Sequence, residues 1–297
     1  MMTTPPAAPT IVLTGATGFV GSHLKKALLD QGYRVIGLGR ADLGRDAESL
    51  AAKMAGAVAL INLAGAPVIT RWSETYKEKM RQSRIDLTQK LIDAMALMAA
   101  PPAVFISTSA VGYYASHCVH SEEKGRKGEG FLSDLAHDWE QTALQAEKHG
   151  IRTVIFRFAV VLGRNGGALQ KMILPFKLGL GGVIGTGKQA FSWIHLNDLL
   201  RAHFAALDSP SYRGIYNLTA PKPTTNYHFT KTLGRVLHRP TILPVPTFML
   251  KMVFGEGATI LVDGQAAVPK RLLDNGFVFD FPELEDALRN CVKADKT

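Results

Sequence analysis

The sequence predicts an α/β protein with a Rossmann-like, doubly wound parallel sheet and a smaller C-terminal substrate domain. Strand and helix patterns alternate through the first half of the chain, which is typical of a parallel sheet covered by helices on both faces. The first strand runs directly into three glycines spaced three apart, and a helical pattern follows at once. Beyond about residue 165 the alternation gives way to clustered glycines and prolines. We therefore expect a dinucleotide-binding domain at 10–165 and a substrate-binding region at 166–293.

Regular elements are expected throughout the first domain. The strands are predicted at 10–14, 34–38, 58–62, 103–108 and 152–157. The helices are predicted at 18–31, 46–54, 73–99 and 130–148. Because right-handed crossovers bring the carboxyl ends of parallel strands to one edge of the sheet, the segments after the strands should meet at that edge and bind the ligand. These segments are 14–21, 39–40, 62–66, 107–114 and 157–165.

The glycine-rich loop after the first strand indicates a site for the phosphates of a dinucleotide. Gly15 permits a tight turn, Gly18 lets the backbone approach a pyrophosphate, and Gly21 lets the helix pack closely on the strand. The helix N-terminus offers free N–H groups and the positive end of its dipole to the anion. The alternative is a purely structural turn. The cofactor-binding residues predicted in this segment are Gly15, Thr17, Gly18, Phe19, Val20 and Gly21.

The end of the second strand, Gly39-Arg40, indicates which dinucleotide is bound. An acidic residue here would bind the ribose 2′-hydroxyl of NAD, whereas an arginine accommodates the 2′-phosphate of NADP. The sequence therefore predicts NADP as the cofactor, with a solvated strand-end arginine as the alternative.

Further cofactor contacts are expected after the third and fourth strands. The small residues after Asn62 leave room for the adenosine side of the cofactor, and the Asn62 amide can hold the turn through local hydrogen bonds. Arg84 belongs to a helix that should pass the cofactor phosphates, although a solvated helix face is an equal alternative. The additional cofactor-binding residues predicted are Asn62, Leu63, Ala64, Gly65, Arg84, Ser107 and Val161.

Hydroxyl and phenol groups follow the fourth strand, at the edge where a substrate would lie. Ser109 and Tyr113 leave the sheet together, so they are the predicted pair for proton transfer at a substrate carbonyl or alcohol, with Tyr114 in reserve. A strand-end hydroxyl that only bonds the backbone is the alternative.

The second half supplies the predicted substrate contacts. Basic side chains lie there beside glycines or a proline and could grip phosphate or carboxylate, although each alone is more often solvated. The predicted contacts are Lys177, Lys188, His195, Lys270 and Arg271. Asn197 or Asp198 is expected to cap the helix that follows His195. His195 is as easily a structural histidine.

Composition narrows the partners and the compartment. The 297 residues carry a net charge of +9, but the basic residues are scattered and no nucleic-acid-binding signature accompanies them, so we expect a small anionic substrate and no nucleic acid. The two cysteines have no metal-ligand spacing, which predicts no metal site and a reducing compartment. Met1 to Pro9 is expected to be frayed and lacks the features of a signal peptide, and the apolar stretch at 55–69 is too short for a membrane span. The resulting expectation is a cytoplasmic protein. A homodimer is a separate expectation, and the sequence does not decide the oligomeric state.

With these segments considered together, the chain resembles the extended short-chain dehydrogenase/reductases, and within them the atypical branch that is similar to sugar-nucleotide epimerases. The resemblance runs in order along nearly the whole sequence. It is carried by residues 14–21, 62–65, 71–84, 109–114, 157–163, 174–182, 193–195, 264–265 and 269–272.

This resemblance implies a Rossmann-like domain, bound NAD(P) and a hydroxyl triad of Ser or Thr, Tyr and Lys. The serine corresponds to Ser109, but the Tyr-x-x-x-Lys pair is absent. If Glu140 occupies the position of the family's glutamate four residues after the lysine, Leu132 and Ala136 stand where Tyr and Lys are expected. Neither side chain can transfer a proton, so Tyr113 and Tyr114 are the nearest substitutes, and a cation other than that lysine has to favour the deprotonated phenol.

Two functions follow from these observations. The first is an NADP(H)-dependent oxidoreductase or epimerase-like enzyme that acts on a carbonyl, an alcohol or a nucleotide sugar. The second is an NADPH-binding sensor or regulatory protein without turnover, which the alanine at position 136 favours.

Overall fold

Six parallel strands form the central sheet of the computed structural model, which describes residues 8–116 and 118–293. In spatial order they are β2 (Arg34–Leu38), β1 (Thr10–Thr14), β3 (Ala57–Asn62), β4 (Val104–Ala110), β6 (Arg152–Phe158) and β9 (Gly214–Leu218). Every neighbouring pair is parallel. The predicted Rossmann-like parallel sheet is confirmed. The expectation for the N-terminal residues falls mostly on residues 1–7, which lie outside the described residues.

Helices cover both faces of this sheet. The helices of the first half are α1 (Phe19–Asp30), α2 (Arg40–Leu43), α3 (Ala47–Met54), α4 (Glu74–Arg81), α5 (Leu87–Ala96) and α6 (Phe131–Leu144). Because side chains alternate along a strand, Ile11 and Leu13 of β1 belong to one core with α1, whereas Val12 belongs to the opposite core with α3 and α5. The two apolar faces explain why the central strands are continuous hydrophobic runs.

The predicted helix at 73–99 is interrupted in the structure. A π-helical turn, Gln82–Asp86, separates α4 from α5, and α5 ends at Ala96 rather than at residue 99. Such turns are found frequently at functional sites. A periodic pattern cannot reveal a single extra residue inside a helix, so the sequence predicted one continuous element.

The second half contributes to the sheet as well as to a separate apolar cluster. Its elements are α7 (Gly167–Lys177), α8 (Leu196–Asp208), α9 (Asn226–Leu237), α10 (Thr247–Phe254), α11 (Thr259–Val262), α12 (Lys270–Asp274) and α13 (Leu284–Val292), with the short strand pairs β5 (Val119–His120) and β10 (Ala266–Ala267), and β7 (Val160–Leu162) and β8 (Trp193–His195). α8 packs in the same core as α1, and β9 forms an edge of the main sheet. The central sheet therefore continues past residue 165, the predicted boundary. Within the described residues, no helix combines the length and apolar character needed to cross a membrane.

The close packing of α1 on the glycine loop depends on Gly21. A Cβ at this position would lie 2.1 Å from the carbonyl oxygen of Gly15, a backbone atom that cannot easily move. We expect Gly21→Ala to lower the free energy of unfolding by about 1–3 kcal/mol, the usual cost of overpacking. Chemical denaturation measures this change.

Gly44→Ala is the matched control. At Gly44 a Cβ would meet its nearest atom, the carbonyl oxygen of Arg40, at an ordinary 3.5 Å. This variant should be as stable as the wild type or slightly more stable. Equal stability of the two alanine variants would contradict the packing described for α1.

Candidate cofactor and substrate site

The strand order reverses between β1 and β3, because β2 lies on one side of β1 and all later strands of the sheet lie on the other. In open α/β sheets, ligands bind at such a switch point, outside the carboxyl ends of the strands. The glycine loop after β1 and the segment at 62–66 after β3 lie side by side here. A Cβ on Gly15, which has a φ of +66°, would be 2.8 Å from the carbonyl oxygen of Leu63.

A buried hydrogen-bond network holds these two loops together. The Thr14 hydroxyl donates to Oδ1 of Asn62 at 2.6 Å and accepts from the N–H groups of Leu63 and Ala64 at 3.1 Å. The Asn62 amide donates to the Thr88 hydroxyl of α5 at 3.0 Å. Asn62 thus holds the turn as predicted, but mainly through Thr14 and Thr88, which sequence reasoning did not select.

The N-terminus of α1 is open to an anion. Its N-cap is Gly18, which has no side chain to accept the first N–H groups, and its first turn holds no acidic residue. Thr17 and Gly18 are exposed, and Phe19 and Val20 are half-buried. An uncapped N-terminus of a twelve-residue helix beside the switch point suits a phosphate group.

Arg40 begins α2 at the carboxyl end of β2, where it is exposed. In the described chain its guanidinium has no hydrogen-bond or ion-pair partner. Asp42, the nearest acidic residue along the chain, accepts from the Gly39 N–H at 2.9 Å and pairs with Lys53, and the Lys53 hydrogen bond lowers the Asp42 pKa below its usual value. The charge of Arg40 is therefore left to face a ligand.

The π-helical turn directs Arg84 into the protein beside the same edge. Its side chain is buried and donates to the carbonyl oxygen of Ala66 at 2.8 Å. The guanidinium lies 5.4 Å from the Trp139 ring, and burial lowers the Arg84 pKa to about 10. Within the described residues Arg84 has no carboxylate partner, so a bound anion near Gly65 would compensate a buried charge that the protein does not neutralise.

Two further hydroxyls at this edge have no partner. Ser107 Oγ and Thr108 Oγ1 lie in the middle of β4, where Ser107 pairs with Asn62 at the end of β3; both atoms are buried and make no hydrogen bond within the described residues. Buried polar atoms are normally paired, so these atoms fit a site that a ligand completes. Val161 is half-buried on β7.

Ser109 is part of a buried charged network. Its hydroxyl donates to Oε1 of Glu140 at 2.6 Å. Glu140 also receives two hydrogen bonds from Arg157, Nε to Oε1 at 2.7 Å and Nη2 to Oε2 at 2.6 Å. Because a hydroxyl has one proton, Ser109 in this arrangement offers only lone pairs to any further partner.

The two tyrosines have different surroundings. Tyr113 ends the short 3₁₀ turn Val111–Tyr113 and is half-buried, with its ring 3.6 Å from the Arg157 guanidinium. Tyr114 is fully buried, its hydroxyl donates to Oδ1 of Asn217 at 2.9 Å, and burial raises its pKa. Tyr113 is thus the more exposed of the two tyrosines, whereas the hydroxyl of Tyr114 is bound to Asn217 in the interior.

Helix α6 offers no substitute at the expected positions. Leu132 is half-buried beside Gly112, Ala136 is buried, and neither side chain has a polar atom. His137 is half-buried, with its ring centroid 6.2 Å from that of Tyr113. Neither expected position of α6 therefore carries a group that can transfer a proton.

The structure does not bring all five predicted substrate residues to the ligand edge. Lys177 and Lys188 are exposed. Lys270 pairs with Asp274 and Glu123. Arg271 donates to the carbonyl oxygens of Arg213 and Ile215 at 2.8 Å, at the amino end of β9. The ligand edge is formed by the carboxyl ends of the strands, so Arg271 lies at the opposite edge of the sheet. The prediction that Arg271 faces the nicotinamide is therefore wrong.

His195 has a structural environment. It is 3% exposed and its ring centroid lies 3.8 Å from that of Phe281, and burial lowers its pKa to about 4. Its Nδ1 accepts from the Asn197 N–H at 3.1 Å, so His195 itself caps α8. The prediction that Asn197 or Asp198 is the cap is wrong, because the Asp198 carboxylate instead accepts from the N–H groups of Asp280 and Phe281.

The fold and this ligand edge define a Rossmann-type dinucleotide-binding protein. A family model described as the NAD dependent epimerase/dehydratase family matches residues 11–219, and a second, described as a domain of unknown function (DUF1731), matches residues 245–291. The chain belongs to the NAD dependent epimerase/dehydratase family, and its resemblance to the extended short-chain dehydrogenase/reductases is confirmed.

Several known proteins are similar to this chain over most of its length. The epimerase family protein SDR39U1 homolog, chloroplastic, from Arabidopsis thaliana is 40% identical over 94% of this chain and 86% of its own length. A crystal structure of the human epimerase family protein SDR39U1 (isoform 2) with NADPH is 34% identical, covers 95% of this chain and 98% of its own, and has a TM-score of 0.87. A UDP-glucuronic acid 4-epimerase from Bacillus cereus, 20% identical with a TM-score of 0.76 over 95% of this chain and 97% of its own, shares the fold.

The network around Asn62 gives a stability prediction. Replacing Asn62 by alanine leaves the buried hydroxyl of Thr14 without its acceptor and that of Thr88 without one of its donors. We expect Asn62→Ala to lower the free energy of unfolding by about 1–3 kcal/mol, measured by denaturant titration.

Asn197→Ala serves as its control, because the Asn197 side chain is exposed. Its effect should stay within about 0.5 kcal/mol. If Asn62→Ala unfolds at the same denaturant concentration as this control, the network does not stabilise the switch point.

Proposed function

We propose that this chain is an NADP(H)-dependent oxidoreductase or epimerase-like enzyme that acts on a carbonyl, an alcohol or a nucleotide sugar without a Tyr-x-x-x-Lys pair. The observation that carries the proposal is the exposed guanidinium of Arg40, which has no partner among residues 8–116 and 118–293. It lies at the carboxyl end of β2, next to the glycine loop at the switch point. The NADPH in the crystal structure of human SDR39U1 supports the same cofactor for this chain.

The cofactor has a natural place along this edge. Its pyrophosphate would bind the N-terminus of α1 at Gly18 and Phe19, its 2′-phosphate would pair with Arg40, and its adenosine side would lie against residues 62–65. Arg84 adds positive charge next to Gly65. When bound, NADP(H) supplies hydride transfer to or from a substrate carbon.

The protein itself has to move a proton at the substrate oxygen. Tyr113 is the proposed donor or acceptor, because it is only half-buried and follows the end of β4 by three residues. Ser109 is proposed to assist as a hydrogen-bond acceptor, since its proton is given to Glu140. An anionic substrate would meet the exposed Lys177 and Lys188 of the second half.

An NADPH-binding sensor without turnover is the second candidate. Ala136 favours it, because alanine cannot supply the cation that the lysine of the family supplies. The proton of Ser109 is also committed to Glu140. The homodimer and the cytoplasmic location stay predictions, and one relative is named as chloroplastic.

The first functional prediction concerns cofactor choice. A charge-assisted contact between Arg40 and the 2′-phosphate is worth about 1.5–3 kcal/mol, so NADPH should bind roughly 10- to 150-fold more tightly than NADH. Arg40→Asp should remove this preference. Calorimetric or fluorescence titration of both nucleotides measures it.

Arg34→Asp is the matched control, since Arg34 is exposed at the opposite end of the same strand. It should keep the wild-type preference for NADPH. Equal affinity of the wild type for the two nucleotides would overturn the assignment of Arg40.

The second functional prediction concerns chemistry. Oxidation of NADPH is followed by its absorbance against a panel of carbonyl compounds and keto forms of nucleotide sugars. The best substrate is then tested with Tyr113→Phe. Loss of a positioned proton donor costs about 10²–10⁴ in rate, so turnover should fall by this factor while NADPH affinity stays unchanged.

Tyr227→Phe is the control, because Tyr227 is exposed on α9. Full turnover by both Tyr113→Phe and Ser109→Ala would show that the proposed roles are wrong. Tight NADPH binding with no turnover of any compound would favour the sensor.

A further inference from the structure

Arg157 lies beneath the only accessible phenol of the 109–114 segment. It belongs to β6 and is 3% exposed. Its guanidinium carbon lies 3.6 Å from the centroid of the Tyr113 ring and 4.7 Å from that of the Tyr114 ring. Planar guanidinium groups stack on aromatic faces, and a contact at this distance is a close one.

Glu140 fixes the orientation of this guanidinium. The two groups form a bidentate pair, Nε to Oε1 and Nη2 to Oε2, and Glu140 is 2% exposed. A bidentate pair defines the plane of the guanidinium as well as its position. The edge of the guanidinium is thereby used by the carboxylate, and its flat face is left for the tyrosine ring.

Burying the Glu140–Arg157 ion pair costs desolvation free energy, so the geometry of the pair calls for a reason other than stability. Two charges are withdrawn from water on β6 and α6, and buried ion pairs are often no more stable than apolar side chains of the same volume. Stability alone therefore gives a weak reason for this pair. A fixed, planar support for an aromatic ring is something that apolar side chains at these two positions cannot provide.

We propose that Arg157 is a positioning residue, whose guanidinium plane, oriented by Glu140, holds the ring of Tyr113 at the ligand edge. Helix α6 thus contributes a carboxylate that orients an arginine, at the helix where the resemblance leads one to expect a tyrosine and a lysine. The proposal rests on the proposed function, because it takes Tyr113 as the group that moves the proton.

Arg157→Lys separates this role from that of a simple ion pair. Lysine keeps the positive charge opposite Glu140 but has no planar face to stack on a ring. We expect kcat on the best substrate of the carbonyl panel to fall by up to about 10²-fold, the size of effect that a misplaced catalytic group produces, while the KM for NADPH stays within about twofold. Thermal unfolding is measured in parallel to confirm that the variant is folded.

Arg152→Lys is the matched control on the same strand. Arg152 donates to the backbone carbonyls of Ala206 and Tyr212 rather than to a carboxylate, and no tyrosine of the 109–114 segment contacts it. It should leave kcat unchanged. If Arg157→Lys retains kcat within about threefold of the wild type, stacking does not position Tyr113 and the proposal is wrong.

A second measurement needs no substrate. In ¹⁵N-arginine-labelled protein, the Arg157 Nε–H is buried and hydrogen-bonded, and the Tyr113 ring should shift its proton resonance upfield. Tyr113→Leu should reduce this shift to the part that the more distant Tyr114 ring contributes, and Tyr113→Phe should keep it in full. An unchanged resonance in Tyr113→Leu would show that the ring does not lie on the guanidinium, and this comparison decides the geometry even if Arg157→Lys fails to fold.

The two measurements also separate this proposal from the proposed function. A ring shift together with loss of kcat supports both. A ring shift in a protein that turns over no compound of the panel contradicts the proposed function. It supports the contact between Arg157 and Tyr113 but overturns the claim that this contact serves catalysis. Turnover without a ring shift leaves the proposed function standing and removes Arg157 from it.

Discussion

The hydrogen bond between Thr14 and Asn62 is the contact on which the ligand edge depends. It joins the carboxyl ends of β1 and β3, the two strands that flank the switch point, and it lies entirely out of water. A buried hydroxyl or amide is costly when unpaired, so each of the two groups restrains the other. Through Thr88 the restraint extends to α5 and, by the Trp139 indole, to α6. The loop that suits the phosphates and the helix that carries Glu140 are thereby parts of one bonded framework.

A second framework lies farther along the same edge. Ser109, Glu140 and Arg157 link β4, α6 and β6, and Tyr113 rests on the last of these residues. The first framework consists of neutral hydrogen bonds and shapes backbone for a cofactor. The second consists of charges and orients side chains next to it. Both are anchored on α6, so the position of this helix relative to the sheet sets the spacing between the cofactor loops and the candidate proton donor.

Local patterns in the sequence were sufficient for the sheet, and insufficient for much of the site. Strands and the glycine loop could be predicted because their signals lie within a few residues, as at Ile11 to Gly21. The position of Arg271 could not, because it depends on where α12 packs against β9, a contact between residues 56 apart in sequence. The Glu140–Arg157 pair was missed for a related reason, since only the parallel pairing of β4 with β6 brings Arg157 beneath Ser109 and Tyr113. The N-cap of α8 was predicted wrongly because histidine, which fills it here as His195, is not among the residues usually preferred at an N-cap.

The π-helical turn at 82–86 has a consequence for how this chain tolerates changes in length. One surplus residue there accommodates the inward Arg84 between α4 and α5. Removing a single residue from the turn would restore ordinary helical winding, and each residue of an α-helix accounts for about 100° of rotation and 1.5 Å of rise. All of α4 would then rotate relative to α5, turning Met80 out of its apolar contacts and Arg84 away from Ala66. The number of residues between α4 and α5, and not only their identity, therefore determines where the guanidinium of Arg84 lies.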